Sequence, residues 1–202
     1  MEPGSMRADD RSLVGWGVAV GAYPASVVAE IVRLSATADG DIVIQIGAHE
    51  MGQGIRTAIA AIVVRKLGVP ADRVRGEIGD TRGVPQHLTA GSWGTASVVP
   101  AASAAADAML KELNQLSPSG LTGRTPAQVL KAAGRSTLEV ETRSKGPGQP
   151  DDIYDRLKVG QLAIDGPIYP GFVTFSYVIP LAGPVASRAT VSRRACKAGV
   201  RL

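Results

Sequence analysis

The spacing of hydrophobic and polar positions predicts a β-hairpin in the first quarter of the chain. Residues Val27–Ala38 alternate in part between apolar and polar side chains, as a half-buried strand does. Asp39 and Gly40 form a turn pair, and Asp41–Ile46, with the sequence DIVIQI, predicts the returning strand. Before the hairpin, the apolar, glycine-interrupted stretch Leu13–Val20 predicts a strand close to another backbone.

A helical period follows the hairpin. Within Ile55–Leu67 the apolar residues recur three or four positions apart, and Gly68 with Pro70 predicts the end of this first helix. The next stretch, Val74–Ile78, predicts a short strand, and the segment Gly79–Gly94 has the glycine, threonine and proline content of a loop.

A second, alanine-rich helix is predicted to run as far as Leu116. Thr95 or Ser97 could open it, and Pro100 would then have to lie in its first turn, where proline is tolerated. The alanines favour tight packing against neighbouring elements.

The second half of the chain continues the mixture of helices and strands. A third helix is predicted at Pro126–Ala133 with Thr125 as its N-cap, and strands are predicted at Leu138–Thr142 and Phe172–Ile179. Between these two strands, the polar, glycine- and proline-rich segment Ser144–Asp152 is the best candidate for an internal linker. The pattern predicts a mixed α/β fold built from strand, glycine-rich loop and helix.

Composition adds a class and an outline of the domains. With 202 residues, 45% hydrophobic and 20% charged, the chain has the length and composition of one folded globular domain. Residues 1–12 are predicted to be a flexible lead-in, residues 13–179 the domain, and residues 180–202 a basic tail that is non-native or disordered.

The net charge of +4 belongs to that tail. No acidic residue follows Asp165, whereas five basic residues do, and without those five the chain carries 17 basic and 18 acidic residues. A basic surface patch on the domain is therefore not indicated.

Cysteine content and hydropathy bear on location. A single cysteine, Cys196, excludes an intrachain disulfide and supplies no cysteine cluster for a metal. No apolar run is long enough to span a membrane, and the N-terminus MEPGSMRADDR lacks the pattern of a secretory signal. A cytoplasmic location is the expectation.

Two glycine-rich loops each precede a predicted helix. GAHEMGQG, residues 47–54, connects a strand to the first helix, and TAGSWGTAS, residues 89–97, opens the second. Such connections present backbone N–H groups and the positive end of a helix to an anion such as a phosphate. The first loop has the spacing of neither a P-loop nor GxGxxG. Two alternatives stay open: a connection without a ligand, and helix capping by Ser92, Thr95 and Ser97.

The candidate acid–base residues do not form a catalytic set. His49 and Glu50 are adjacent, so in a strand they would point in opposite directions. His87 has no partner nearby in the sequence, and Asp80 with Thr81 is typical of a turn. Two histidines without ligands at the required spacing argue against a zinc site. No catalytic residue and no metal ligand is predicted.

The run from Gly47 to Ser97 resembles the molybdenum-binding subunit of the xanthine dehydrogenase/aldehyde oxidase family. Its MGQG loop, the LGVP and GDT segments and the loop GSWGTAS occur in that family's order and approximate spacing. The agreement is tightest over residues 41–116, within the family's second molybdopterin-binding domain, and weaker similarity extends from LVGWGVAV to FVTFSYVI. The resemblance implies a molybdopterin-binding domain that is present only in part.

The resemblance also implies a molybdenum–molybdopterin cofactor, held mainly by backbone and small polar groups. Gln53 matches a glutamine that hydrogen-bonds the cofactor in this family, and its amide offers both a donor and an acceptor. The second loop matches a segment that contacts the pterin and its phosphate. The cofactor-binding residues implied are Met51, Gly52, Gln53, Gly54, Thr95, Ala96 and Ser97.

The family's chemistry is the oxidative hydroxylation of aldehydes or N-heterocycles with water as the oxygen source, and its electrons leave through iron–sulfur and flavin partners. The glutamate base of that reaction comes from a motif beyond the last matching segment, so no residue here corresponds to it. Glu50, Glu77 and Glu112 are not substitutes. The resemblance therefore implies a molybdenum-dependent oxidoreductase whose catalytic glutamate lies outside this chain.

The chain is accordingly expected to be a fragment. The family's first molybdopterin-binding region is missing, and after Ile179 the chain reads PLAGPVASRATVSRRACKAGVRL, with no acid, where the family continues with an alternating apolar and acidic strand. A frameshift or truncation near Pro180 would produce this change. Because a partial domain exposes apolar surface, the isolated chain is expected to bind molybdopterin weakly at best.

Two other classes of function share some of these features. A non-catalytic pterin-binding or accessory module, inactive alone, would keep the cofactor loops without the base. A nucleic-acid binder would use the basic tail, but the near-neutral body and the low aromatic content, 4% of the chain, argue against it. The leading interpretation is a fragment of a molybdenum hydroxylase subunit, without nucleic-acid or membrane partners.

Overall fold

In the computed structural model, residues 26–117 and 121–161 are described in full, together with the backbone of five short strand segments outside these ranges. The chain divides into two compact units, one formed by Met1–Tyr23 with Phe175–Leu202 and the other by Pro24–Thr174. The candidate site lies in the second unit.

The strands outside the second unit's main sheet form two small sheets. β1 (Met6–Arg7), β2 (Leu13–Val14) and β9 (Pro184–Val185) are antiparallel in the order β1-β2-β9. β3 (Val20–Pro24) pairs with β8 (Val173–Tyr177), which confirms the last predicted strand.

The single strand predicted over residues 13–20 is wrong, because Val20 begins a strand of a different sheet from Leu13 and Val14. Apart from these short strands, the lead-in predicted over residues 1–12 and the tail predicted over residues 180–202 lie outside the described residues.

The second unit contains a four-stranded mixed sheet in the order β6-β5-β4-β7. Its strands are β4 (Glu30–Thr37), β5 (Ile42–Ile46), β6 (Val74–Glu77) and β7 (Thr137–Ser144). β4 is antiparallel to both β5 and β7, whereas β6 runs parallel to β5. The predicted hairpin is confirmed: Gly40 takes a φ of +99° in the turn between β4 and β5, which suits glycine.

Four α-helices and one 3₁₀ turn are described. They are α1 (Ile55–Leu67), the 3₁₀ turn Ala71–Arg73, α2 (Gly94–Leu116), α3 (Pro126–Ala132) and α4 (Ile153–Lys158). α1 provides the crossover between the parallel strands β5 and β6, which is the strand, glycine-rich loop, helix order that the sequence predicts.

The core lies on one face of the sheet. Buried apolar residues alternate with half-buried ones along β4 and β5 and face each other across the hairpin, as Leu34 and Ile44 do. α1 and α2 cover this face and pack against each other. The buried face of α2 is rich in alanines, which allow close approach of the helices: Ala101, Ala102, Ala105 and Ala106. The predicted mixed α/β class is confirmed.

Local end signals also behave as predicted at two helices. Gly68 follows α1 with a φ of +63°, and its N–H donates to the carbonyl of Val64. At α3, the Thr125 hydroxyl accepts from the Gln128 N–H while the Gln128 side chain accepts from the Thr125 N–H, a complete capping box.

The start of α2 differs from the prediction. The helix begins at Gly94 with Trp93 as its N-cap residue, so Pro100 lies inside the helix rather than in its first turn. Pro100 is exposed, where the ring meets solvent instead of a neighbouring element, but its missing N–H leaves the carbonyl of Ala96 without its usual helical donor.

The predicted linker after β7 is anchored within the second unit. The buried Gln149 side chain donates to the Val27 carbonyl at 3.1 Å and accepts the Gly146 N–H at 2.8 Å, so the segment is tied to the chain just before β4. The short helix α4, which the sequence did not predict, follows and packs Ile153 against the opposite face of the sheet.

Candidate functional site

The first glycine-rich loop holds a carboxylate of its own chain. Glu50 Oε1 accepts hydrogen bonds from the N–H groups of Gly52 (2.9 Å) and Gly54 (3.0 Å), and Oε2 accepts one from the Arg56 N–H (3.1 Å). These bonds, with that from Arg56 the largest, lower the pKa of the Glu50 carboxyl below its ordinary value. The anion at the start of α1 is therefore internal, and the expected external phosphate does not fit there.

Gln53 braces the same loop. Its Oε1 accepts the Met51 N–H at 2.5 Å, and its Nε2 donates to the His49 carbonyl at 2.7 Å. Gly52 and Gly54 have φ angles of +94° and +79°, and a Cβ on either would meet no described atom within 4 Å. The loop is held by its own groups, and one of the two Nε2 hydrogens of Gln53 stays outside this bonding.

The second loop is held in an uncommon backbone conformation beside Trp93. Gly91 has a φ of +53°, and a Cβ there would lie only 2.3 Å from the Trp93 ring. Ser92 is the one described non-glycine residue with a positive φ, +59°. The Trp93 Nε1–H donates to the carbonyl of Leu88 at 2.5 Å. Uncommon conformations of this kind cluster at functional sites.

α2 begins without a cap. No side chain among the described residues accepts from its first N–H groups, so the structure does not support the alternative of capping by Ser92, Thr95 or Ser97. Within the described part of the chain, the N–H groups of Gly94, Thr95 and Ala96 have no hydrogen-bond partner. Unsatisfied N–H groups and the positive end of a helix of this length form a site for an anion.

Ser97 lies behind this helix end. It is 2% exposed, and its hydroxyl accepts the Val28 N–H at 2.9 Å and donates to the Trp93 carbonyl at 2.7 Å. Its own N–H also donates to the Trp93 carbonyl, at 2.9 Å. Ser97 therefore ties the start of α2 to the segment before β4, whereas the sequence places it against the cofactor.

A cleft of about 440 Å³ opens between the two glycine-rich loops, of which residues 47–54 form the first wall and residues 89–97 the second wall. It is lined by Met51, Gln53, Ile55, Thr89, Ala90, Gly91, Ser92, Gly94, Thr95 and Ala96. The structure thus brings four of the residues implied by the resemblance to one cleft. Gly52 and Gly54 shape the first loop without lining the cleft, and Ser97 lies behind it.

Thr89 connects the two walls of the cleft. Its Oγ1 accepts the His49 N–H at 3.0 Å and also lies 3.0 Å from His49 Nδ1. Sequence reasoning included Thr89 in the second loop but assigned it no role. A position forty residues from its partner gives no local signal of this contact.

The chemistry of the cleft is that of neutral polar groups. None of the described residues that line it is charged, and its volume is in the range of small-molecule sites. Two of the exposed large hydrophobic residues, Met51 (65%) and Leu88 (50%), lie on the two flanking loops. The described residues contain no group of three or more His, Cys, Asp or Glu that could hold a metal ion. None of the described helices is long and apolar enough to cross a membrane.

A buried pair of titratable side chains that the sequence did not reveal lies in the same unit as the cleft. His87 Nε2 is 2.5 Å from Glu30 Oε1, and both side chains are almost fully buried, with 2% and 0% exposure. Burial raises the pKa of the Glu30 carboxyl to about 7, against the opposing effects of His87 and the Gly47 N–H. The only sequence signal was a glutamate inside the otherwise apolar run VVAEIV.

These features are typical of a site for an anionic small molecule: a helix start without a cap among the described residues, a neutral cleft and two glycine-rich loops. The family model of the molybdopterin cofactor-binding domain matches residues 2–146, well over half of the chain. The chain belongs to the family of molybdopterin cofactor-binding domains. The family resemblance and the molybdenum–molybdopterin cofactor that it implies are confirmed by this match. No curated protein sequence matches the chain.

Solved structures share the fold. The Cu,Mo-CO dehydrogenase in its carbon monoxide reduced state matches with a TM-score of 0.57 and 19% identity, covering 66% of this chain and 22% of that one. The reconstituted CO dehydrogenase from Oligotropha carboxidovorans gives the same values. Quinoline 2-oxidoreductase from Pseudomonas putida 86 matches with a TM-score of 0.50 and 20% identity, covering 66% and 23%. The chain spans less than a quarter of the length of these proteins.

Proposed function

We propose that the cleft between the two loops binds the molybdopterin cofactor. The observation that carries this proposal is the uncapped start of α2, where the N–H groups of Gly94, Thr95 and Ala96 meet a neutral cleft of about 440 Å³. A helix start of this kind binds a phosphate without a basic side chain. On the opposite wall, Gln53 offers an amide N–H to the polar edge of a pterin.

The residues that would hold the cofactor follow from the two walls. Met51 and Gln53 face it from the first loop, whose turn depends on Gly52 and Gly54. Thr95 and Ala96 face it from α2. Ser97 acts through the placement of α2 rather than by contact.

When bound, the cofactor supplies a molybdenum centre for two-electron oxidation of a substrate. The part assigned to this chain is to bind and orient the cofactor. Among the described residues that line the cleft there is no carboxylate or imidazole that could move a proton at the reacting atoms. The glutamate base of a molybdenum hydroxylase would therefore come from outside this cleft wall.

We further propose that the whole enzyme is a molybdenum hydroxylase of the xanthine dehydrogenase/aldehyde oxidase type, cytoplasmic, with iron–sulfur and flavin partners. Membership in the cofactor-binding family and a fold shared with a Cu,Mo-CO dehydrogenase support a molybdenum oxidoreductase. A second candidate is a non-catalytic pterin-binding module, favoured by the absence of an acid or base from the described cleft residues.

A charge placed at the start of α2 tests the binding proposal. Thr95→Asp puts a carboxylate beside the free N–H groups, which supports the helix but repels a phosphate. Because charges at helix ends are worth roughly 0.3–2 kcal/mol, molybdopterin affinity should fall by about twofold to thirtyfold. Ala104→Asp, exposed on the same helix away from the cleft, is the matched control.

Pterin fluorescence titration of the full chain provides the measurement. Weaker binding by Thr95→Asp alone supports the cleft, whereas unchanged binding, or equal losses in both variants, rejects it. We also expect weak binding overall, so tight, stoichiometric pterin retention through gel filtration would contradict the view of the chain as a partial domain.

A further inference from the structure

The buried pair Glu30–His87 stands where the two cleft walls begin. Glu30 is the first residue of β4 and shares a face with the core residues Val32 and Leu34. His87 belongs to the loop that leads to the second wall, 57 residues further along the chain. Their contact between Oε1 and Nε2, at 2.5 Å, fixes that loop to the sheet.

Hydrogen bonds through the Leu88 carbonyl connect His87 to Trp93. His87 Nδ1 lies 2.8 Å from the carbonyl of Leu88, and because a carbonyl only accepts, Nδ1 carries a hydrogen. The same carbonyl accepts the Trp93 Nε1–H. A chain of hydrogen bonds therefore runs from β4 through His87 and Leu88 to Trp93, the N-cap residue of α2.

The first wall meets the pair at Gly47. A Cβ at Gly47 would lie 3.3 Å from Glu30 Oε2 and 2.5 Å from the carbonyl of Pro85, so the glycine is enclosed between the carboxyl and the segment that leads to the second loop. Glu30 Oε2 is buried, and although the Gly47 N–H is close enough to act on the carboxyl, no described donor meets Oε2 in hydrogen-bonding geometry. Gly47 opens the loop that carries Met51 and Gln53.

Since Nδ1 is protonated, one further proton belongs to the contact between Glu30 and His87 Nε2. With that proton present, the pair is either a neutral acid and imidazole or a carboxylate and imidazolium, and both forms keep the hydrogen bond. Without it, a carboxylate faces the lone pair of Nε2 in a buried site, which is strongly unfavourable.

We propose that Glu30 and His87 are positioning residues that hold the two cleft walls in place while they share this proton. The inference rests on the proposed function only in assigning the cleft to the cofactor. Neither Glu30 nor His87 lines the cleft. The pair acts on the two walls through Gly47, Leu88 and Trp93.

No other charged group among the described residues acts on the pair. Within the described residues, His87 is the charged group that acts on Glu30, and Glu30 is the one that acts on His87. The neighbours from the surrounding elements are uncharged: Gly47 after β5, Ser144 opposite Glu30 on β7, and Pro85 and Leu88 in the loop. Loss of the shared proton near pH 7, where burial sets the pKa of Glu30, should release the second wall.

Trp93 reports the placement of that wall without any ligand. In a Trp16→Phe background of the full chain, acrylamide quenching of the remaining tryptophan is measured from pH 5.5 to about pH 8.5, a window around the ordinary pKa of histidine. Quenching is expected to rise in a step near pH 7. The step should disappear in Glu30→Gln and in His87→Gln, and it should persist in His49→Gln, which removes the other histidine of the chain.

A flat profile in the Trp16→Phe chain overturns the proposal even if the Glu30 variant does not fold. A step that survives in His87→Gln, or one lost only with His49, overturns it equally. The same pH series with molybdopterin separates the two proposals: a Trp93 step without cofactor binding at any pH rejects the proposed function and keeps the positioning pair, whereas pH-independent binding without a step does the reverse.

Discussion

His49 and Thr89 join the two walls of the cleft, with the Thr89 hydroxyl accepting the His49 N–H at 3.0 Å. Thr89→Val keeps the shape of the side chain but removes the acceptor. The loss of one such hydrogen bond should lower the free energy of unfolding by about 1 kcal/mol. Pterin affinity should fall as well, because the bridge between the two walls is lost. Urea denaturation measures the change in stability, and pterin titration measures the change in affinity.

Thr89→Ser is the matched control, since it keeps the hydroxyl that bridges the loops. We expect it to retain most of the stability and affinity. If Thr89→Val binds pterin as tightly as the unaltered chain, the bridge does not contribute to the cleft.

The Glu50 carboxylate should behave as a built-in anion. Glu50→Ala leaves the N–H groups of Gly52, Gly54 and Arg56 without their acceptor and should destabilise the chain, but it should also create a new anion site at α1. Added sulfate should therefore raise the melting temperature of Glu50→Ala more than that of the unaltered chain. Glu112→Ala on α2 is the control, because the Glu112 side chain makes no hydrogen bond to a described residue.

The pH dependence of the Glu50 effect has a definite sign. Its pKa is lower in the folded chain than the ordinary value of 4.5, so its contribution is fully present above that value and is lost as the pH falls through the folded pKa. Thermal unfolding at acidic pH should show the difference between the unaltered chain and Glu50→Ala shrinking. A difference that grows on acidification contradicts the assignment.

The contribution of the pair Glu30–His87 to stability should change with pH in the opposite direction to that of Glu50. The folded pKa of Glu30, about 7, lies above its ordinary value of 4.5, and the pKa of His87 is also raised. Stability from bound protons is therefore complete below about pH 4.5 and declines as the pH rises through about 7. Urea midpoints measured across this range should fall with pH in the unaltered chain and vary less in Glu30→Gln.

Alanine substitutions at Gly91 and Gly134 distinguish the cost of backbone strain from the cost of a steric clash. Both have a positive φ, +53° and +68°, but a Cβ meets the Trp93 ring at 2.3 Å in the first case and no described atom within 4 Å in the second. Gly134→Ala should cost about 1–2 kcal/mol of stability for the left-handed conformation alone. Gly91→Ala should cost more and should also displace Trp93, which tryptophan fluorescence detects. Equal costs with unchanged fluorescence would contradict a steric contact between a side chain at position 91 and the Trp93 ring.

Features with a local cause were predictable from the sequence. The turn at Asp39 and Gly40, the end of α1 at Gly68 and the capping box at Thr125 each depend on residues within four positions of one another. Both glycine-rich loops and four of the cleft residues were found in the same way, because the resemblance lies in short contiguous segments. Local chemistry is visible in a linear sequence.

Features that depend on distant residues were not predictable. His87 has its partner 57 positions away, and Ser97 contacts Val28 across 69 positions. Glu50 was treated as a strand residue with His49, but the chain turns at Gly52 and Gly54 and brings the carboxylate back to the start of α1. The alternative of capping α2 by Ser97 fails for a related reason, because the Ser97 hydroxyl accepts the Val28 N–H of the segment before β4 instead of an N–H at the helix start.

The Glu50 loop and the open start of α2 differ in how much order a ligand must impose. The first wall already satisfies its own N–H groups, so its conformation is formed before binding and little entropy is lost there. Binding at the second wall instead replaces water on free N–H groups next to the positive φ of Ser92. On cofactor binding, hydrogen exchange should therefore slow in residues 89–97 while residues 47–54 change little.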